Sequence, residues 1–394
     1  MRSCIATCPI LQRRRSNKNY QENIDKFEKV WYNTIVQGRI FENFFVHNKE
    51  NTMKLISFAV PSYNSEAYLH KCIDSLLVGG EEVEIIIVND GSKDGTAAIA
   101  DEYAAKYPTI VRAIHKENGG HGSGVNYGLR AATGLYYKVV DSDDWADADA
   151  LKALLDKIKE HLAADTLPDM YFVNYVYEHV EDNTQYVNRD CARKMPKDKF
   201  FGWNDVKEFH LSDALMMHAM FYNREKLLST GLELPEKTFY VDEIFAYAPL
   251  PAMEKLYYLD VDFYRYYIGR VDQSVNIASL TKRYEQHIRV FKELIKSHSY
   301  DDIKSQPKGL RKYMMHMMSV YYLLVACFTN YYDDPERRAN YKELWAFIKE
   351  TDIKMYKKLR YRSMGVLINF WPWKFRGFLL RVGYAVVRKF MKVG

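Results

Sequence analysis

From Lys54 onward the chain repeats one pattern four times, and this alternation constrains its fold more than any other feature. Short apolar runs, LISFAV at 55–60, EIIIVN at 84–89, IVRAI at 110–114 and LYYKVV at 135–140, are separated by EAYLHKCIDSLL, GTAAIADEYAAKY and GSGVNYGLRAAT. The first set is rich in β-branched and aromatic residues. The second reads as helices, with Asp, Ser or Gly at or near their starts. Strands alternating with helices predict an α/β fold with a mostly parallel sheet covered on both faces. In such sheets ligands bind beyond the carboxyl ends of the strands. Here those ends carry polar or turn-forming residues: PSYN, DGS, HKENGG and DSDD.

The last of these places three carboxylates in four positions, Asp141, Asp143 and Asp144. Like charges this close repel one another and resist burial, so the cluster needs a cation or open water. If extended geometry persists, Asp141 and Asp143 point the same way, while Asp144 points elsewhere and caps the next turn. Two converging hard oxygen ligands suit Mg²⁺ or Mn²⁺, with the phosphates of a nucleotide diphosphate as further ligands. A solvated acidic turn with a capping Asp is the bland alternative. Asp90 ends the second run, where a carboxylate can accept from a base N–H, and Gly91 lets the backbone approach closely. Pro61 and Ser62 end the first run and offer backbone groups to a nucleoside.

Taken together, AVPSYNSEAYLHKCIDSLL, EIIIVNDGSKDGT, KENGGHGSGVNYGLRAATGLYYKVVDSDDW and FYVDEIF resemble the family 2 glycosyltransferases of bacterial cell-surface polysaccharide synthesis, which have the Rossmann-like GT-A fold. The likeness runs from about Lys54 to Ser274. It implies that Asp90 contacts the base, Asp141 the ribose side, Asp143 the metal, and that Asp242 is the general base. Asn118 and Asn126 would line the donor site, and Arg270 would meet the diphosphate. Two positions depart from the family pattern: Gly124-Val125-Asn126 stands where Ala-Arg-Asn is usual, and Val241-Asp242 where Glu-Asp is common. The implied activity is inverting, metal-dependent transfer from a nucleotide-diphosphate sugar, UDP-sugar first, to a saccharide or lipid-linked acceptor. A binding protein that has lost catalysis is the rival, motivated by Val125 and Val241.

The remainder of the chain bounds the setting. Residues 1–52 read as an N-terminal extension, 53–275 as the glycosyltransferase domain and 276–394 as a helical region, with helices over Tyr284–Ile295 and Gly309–Phe328. Five scattered cysteines make neither a disulfide framework nor a zinc pattern and suit a reducing cytoplasm. His115, His121, His210 and His218 lack zinc-ligand spacing; His121, at the nucleotide edge, and His218, towards the acceptor, are the two of interest. The segment 353–394 holds eleven Lys or Arg and no Asp or Glu. On a helical wheel from Phe378 its basic residues form a narrow edge beside a broad apolar face, which suits the inner surface of a membrane. No RNA- or DNA-binding motif accompanies this charge, no G-x-G-x-x-G follows the first run, and no G-x-x-x-x-G-K-[ST] occurs, so nucleic acid, nicotinamide and P-loop readings are set aside.

Overall fold

The computed structural model describes residues 53–179, 183–210, 213–269, 277–363, 365–372 and 375–378. The expected N-terminal extension, Arg270 and the amphipathic stretch beyond Phe378 lie outside them. From Lys54 the chain forms one compact unit.

Its first half is built as the alternation predicts: β1 (Ile56–Ser62), α1 (Leu69–Leu77), β2 (Val83–Asp90), α2 (Thr96–Lys106), β3 (Val111–Lys116), α3 (His121–Ala131) and β4 (Tyr136–Val139). Then come β5 (Trp145–Ala146), α4 (Ala148–Ala163), β6 (Met170–His179), β7 (Thr184–Asn188), α5 (Asp190–Lys194), β8 (Phe200–Phe201), β9 (Met220–Asn223), α6 (Arg224–Ser229), α7 (Asp242–Tyr247) and β10 (Leu256–Ile268). The sheet order is β3-β2-β1-β4-β9-β6-β10-β5, with β7 added to β6 and β8 to β10. Pairing is parallel among β1–β4 and between β6 and β10, and antiparallel at β5, β7, β8 and β9. Every residue of β1 and β2 is buried, which is why these strands read as continuous apolar runs instead of alternating ones.

The helical second half comprises α8 (Ile277–Lys282), α9 (Tyr284–Ser297), α10 (Tyr300–Ser305), α11 (Lys308–Thr329), α12 (Pro335–Thr351), α13 (Ile353–Tyr361) and α14 (Gly365–Phe370). Helix α11 is the long central member, burying Tyr313, Met314, Met318, Tyr322 and Val325 among others. Among the described residues no helix is long and apolar enough to cross a membrane.

The parallel topology matters because it delivers the ends of β1, β2 and β4 to one edge. Side chains stitch that edge together. Asn64, after β1, accepts at Oδ1 from the Lys93 N–H at 2.8 Å, and the Ser65 and Ser142 hydroxyls meet at 2.6 Å, tying the β1 loop to the turn after β4.

Candidate functional site

Residues 116–121 form the centre of the edge. Asp90, 3% exposed at the end of β2, takes three hydrogen bonds on its carboxylate: from Lys116 Nζ at 2.6 Å, the Gly119 N–H at 2.8 Å and the Gly120 N–H at 2.7 Å. The Asn118 side-chain amide donates to the Asp90 carbonyl at 3.0 Å. Gly91 has φ +73°, and a Cβ there would meet the Asn118 nitrogen at 2.9 Å, so both backbone sign and space demand glycine. The Gly119 carbonyl accepts from the Lys237 N–H at 2.5 Å, which joins this loop to the segment leading into Asp242.

From the same loop, His121 begins α3 and donates from Nε2 to Asp141 Oδ1 at 2.8 Å. Burial pulls the imidazole pKa down, but the charge and hydrogen bond of Asp141, with Asp242 and Asp143 adding, leave it raised. Asp141 shows the complement: burial pushes its carboxyl up, and the charge and hydrogen bond of His121 outweigh that and hold it below the ordinary value.

The DSDD segment corrects the extended-geometry expectation. Instead of continuing β4, it closes a turn in which the Asp144 N–H donates to the Asp141 carbonyl at 3.0 Å. Asp141 and Asp144 therefore converge from the two ends of the turn, and Asp143 occupies it, partly covered and close enough for its charge to be felt at His121 and Asp144. Asp144 is no cap. It is 1% exposed and receives the Tyr264 hydroxyl at 2.6 Å and the Tyr267 N–H at 2.8 Å, while Asp147 caps α4 by accepting from the Asp149 and Ala150 N–H groups. The Tyr264 oxygen also accepts from the Asp141 N–H at 3.1 Å, stapling the turn. Burial first, then Asp143 and Asp141, drive the Asp144 carboxyl well above its ordinary pKa.

The counterpart comes from a residue far along the chain. His218, just before β9, is 4% exposed, and neither ring nitrogen has a hydrogen-bond partner. Its ring packs on Tyr264 and Tyr266 at 4.5 and 4.6 Å, and burial lowers its pKa to about 3, so the imidazole is neutral and keeps a lone pair for a ligand. Among the described residues, Asp141, Asp144 and His218 form a group whose ligand atoms lie within 4.8 Å of one another. Two carboxylates and an orphaned neutral imidazole fit a divalent ion; a buried ring with two unmet nitrogens is otherwise a plain loss of stability. His218 is held from behind by Lys138, wholly buried in β4, whose Nζ donates to the His218 and Met217 carbonyls at 2.6 and 2.7 Å.

Asp242 opens α7, preceded by Tyr240 at φ +63°, a conformation that a bulky residue adopts only under constraint. Tyr240 stacks on His287 at 4.0 Å between ring centroids. Burial, with Asp141 adding, raises the Asp242 carboxyl above its ordinary value against the pull of His121. Glu243 is pushed further, to about 8, by burial and then by Asp242.

The other candidates move away from open space. Pro61 is buried beneath α3, so close to Gly124 that a Cβ there would approach it to 2.8 Å, and Ser62, 1% exposed, turns its hydroxyl back to the Val60 carbonyl at 3.1 Å. Asn126 is 4% exposed and clamps the 233–234 segment, donating to Glu233 at 2.9 Å and to the Leu234 carbonyl at 2.8 Å while accepting from the Leu234 N–H at 2.9 Å. With every side-chain polar atom engaged in this way, it is a strut instead of a donor-site contact. Val125 and Val241 are both buried in the core, so the two departures from the family pattern occupy apolar sockets.

Residues 57–228 match the model of glycosyl transferase family 2. The chain is 29% identical to EpsH of Bacillus subtilis (strain 168) over 251 residues, 59% of this chain and 64% of EpsH, and so spans just under two thirds of that relative. It is 39% identical over 108 residues, 27% of this chain and 12% of the relative, to the minor teichoic acid biosynthesis protein GgaB of the same organism. In fold it is similar to S. aureus TarS 1-349 in complex with UDP-GlcNAc, with a TM-score of 0.54, 19% identity, and 78% of this chain and 84% of that one covered. Residues 57–228 are thus similar to glycosyl transferase family 2, and the mixed sheet flanked by helices in which they are set has the GT-A fold.

Proposed function

We propose that this protein is an inverting, divalent-metal-dependent glycosyltransferase that moves a sugar from a nucleotide-diphosphate sugar to a saccharide or lipid-linked acceptor in cell-surface glycan synthesis. The observation that carries the reading is the convergence of Asp141, Asp144 and the unpartnered His218 on one point beyond β4, with a half-buried carboxylate, Asp242, near enough to perturb the same electrostatics. These three residues would hold Mn²⁺ or Mg²⁺, with Asp143 the next carboxylate in the turn. Such an ion neutralises charge that accumulates on a departing diphosphate.

The chain's own groups have separate tasks. Asp90 fixes the 116–120 loop and retains one acceptor direction of its carboxylate towards a base N–H, three being taken. His121 orients Asp141 beside the ribose. Asp242, its basicity raised by burial, takes the proton of the attacking hydroxyl, a contribution of roughly 10²- to 10⁴-fold. A single displacement with one base inverts the anomeric centre.

The bound UDP-GlcNAc of TarS makes that sugar nucleotide the first donor to try. Exposed Trp371, Phe375 and Phe378 lead towards the basic end of the chain and support a resting place at a membrane surface on the cytoplasmic side. The test is a screen of nucleotide sugars with Mn²⁺ or Mg²⁺, read as thermal stabilisation and then as turnover, with NMR of the product anomer. Metal-dependent turnover with inversion is the expected result. Retained configuration refutes the mechanism, and binding without turnover for any acceptor favours the non-catalytic rival.

A further inference from the structure

A cavity of about 810 Å³ lies away from the DSDD turn, between the 204–209 segment, α11 and α13. Its lining is strongly one-signed. Lys207, Lys308, Lys312, Lys358 and Arg362 stand around it against the single carboxylate of Glu208. Among the described residues only Lys312 of these has a carboxylate partner, Glu208 at 3.2 Å. Lys207, Lys308 and Arg362 are exposed and Lys358 half-buried, so the rim presents a concentration of positive charge to solvent that favours an anion in the hollow. Phe209, Tyr313, Met315 and Val320 supply an apolar and aromatic wall. The volume falls within the range of small-molecule sites, and the combination of cationic groups with an aromatic wall suits a phosphate ester attached to a sugar or other weakly polar body.

Tyr313 connects this cavity to the chemistry. Its hydroxyl accepts from the Leu215 N–H at 3.1 Å, three residues before His218, and the charge of Glu243 adds to the rise of its pKa, placing that wall on the Glu243 side of α7. Tyr313 thus ties the cavity wall to the segment that leads into His218.

We propose that this basic cavity binds the phosphate group of a phosphate-bearing acceptor. The inference deepens the glycosyl-transfer reading and rests on it for the acceptor role, while the cavity's affinity for phosphate can be measured separately. Titration calorimetry of the full chain with inorganic pyrophosphate, in metal-free low-salt buffer, should give binding that Lys308→Glu combined with Arg362→Glu weakens at least tenfold. Lys349→Glu, a charge reversal on the exposed face of α12, should bind as the unaltered protein does. Melting curves check that the variants fold, and the milder pair Lys207→Ala with Lys358→Ala should weaken binding in the same direction. Equal pyrophosphate affinity in all variants overturns the proposal. So does a charge reversal that abolishes sedimentation with phosphatidylglycerol vesicles but leaves pyrophosphate binding intact, since the basic rim would then be a membrane-facing patch. Pyrophosphate binding in a protein that turns over no donor would keep the anion site and remove its acceptor role.

Discussion

Lys138 donates from Nζ to the main-chain carbonyl of His218 at 2.6 Å, from a fully buried position in the central strand β4. Burial drives its pKa well down against the pull of Asp141 and Asp144. A lysine in such a place is costly to keep, and its two carbonyl partners, on Met217 and His218, show what it holds: the backbone that aims the imidazole at the DSDD turn. Lys138→Met should leave both carbonyls unmet at about 1–3 kcal/mol each. It should also weaken Mn²⁺ binding at least tenfold although Lys138 touches no ion. A calorimetric Mn²⁺ titration beside a melting curve checks this, and a variant that melts lower but binds Mn²⁺ normally would limit Lys138 to a structural role.

His218 itself should separate stability from function. Since both ring nitrogens are buried and unpartnered, His218→Phe fills a similar space and removes an unsatisfied group. The expected outcome is a metal-free protein at least as stable as the parent, with Mn²⁺ affinity reduced at least tenfold. An imidazole donor also favours Mn²⁺ over the oxygen-seeking Mg²⁺, so the preference for Mn²⁺ should shrink in the variant. A large fall in melting temperature without loss of metal affinity would make His218 an ordinary core residue.

The strands were legible because central parallel strands are apolar on both faces, so β1 and β2 announce themselves without periodicity. Helices Tyr284–Ser297 and Lys308–Thr329 were legible from spacing to within a few residues. The site was legible only in part. Asp90 and Asp141 both hydrogen-bond to the 119–121 loop, but the period-two argument for Asp141 and Asp143 fails because the chain turns at once after β4. His218 follows Asp144 by a strand, a helix and a long excursion, and no local spacing reports that such a residue returns to the same point. One signal was available: a lysine in the middle of LYYKVV, a run otherwise fit for full burial, already called for a specific partner. Pro61, Ser62 and Asn126 are buried, and the Ser62 and Asn126 side chains hydrogen-bond within the fold.

Activity should depend on pH through Asp242. The carboxyl must be ionised to accept a proton, and burial lifts its pKa above the ordinary 3.8. The acid limb of kcat/KM should therefore lie above the ordinary aspartate range, with activity rising as pH rises through it. Asp242→Asn should lose about 10²- to 10⁴-fold in kcat while keeping donor affinity. Full activity in that variant would transfer the role of base to Glu243.

Glu243 offers a test through stability. Its pKa of about 8 in the folded protein exceeds the ordinary 4.5, so the folded state holds a proton that the unfolded chain releases between those values. The resulting stabilisation is fully present below about pH 4.5 and is lost as the pH rises through about 8. Glu243→Gln removes this dependence, and its melting temperature should gain on that of the parent from pH 5 to about pH 8 and level off above it. Parallel curves across that range would mean that Glu243 ionises normally.

The central claim is that the turn after β4 and His218 together hold a divalent ion that binds a nucleotide diphosphate. The direct measurement is UDP affinity by calorimetry with and without Mn²⁺, in the parent, Asp144→Asn and His218→Phe. The account predicts at least tenfold tighter UDP binding with Mn²⁺ in the parent, and little or no such gain in either variant. UDP affinity that ignores Mn²⁺ in the parent, or a gain that survives both substitutions, would contradict it.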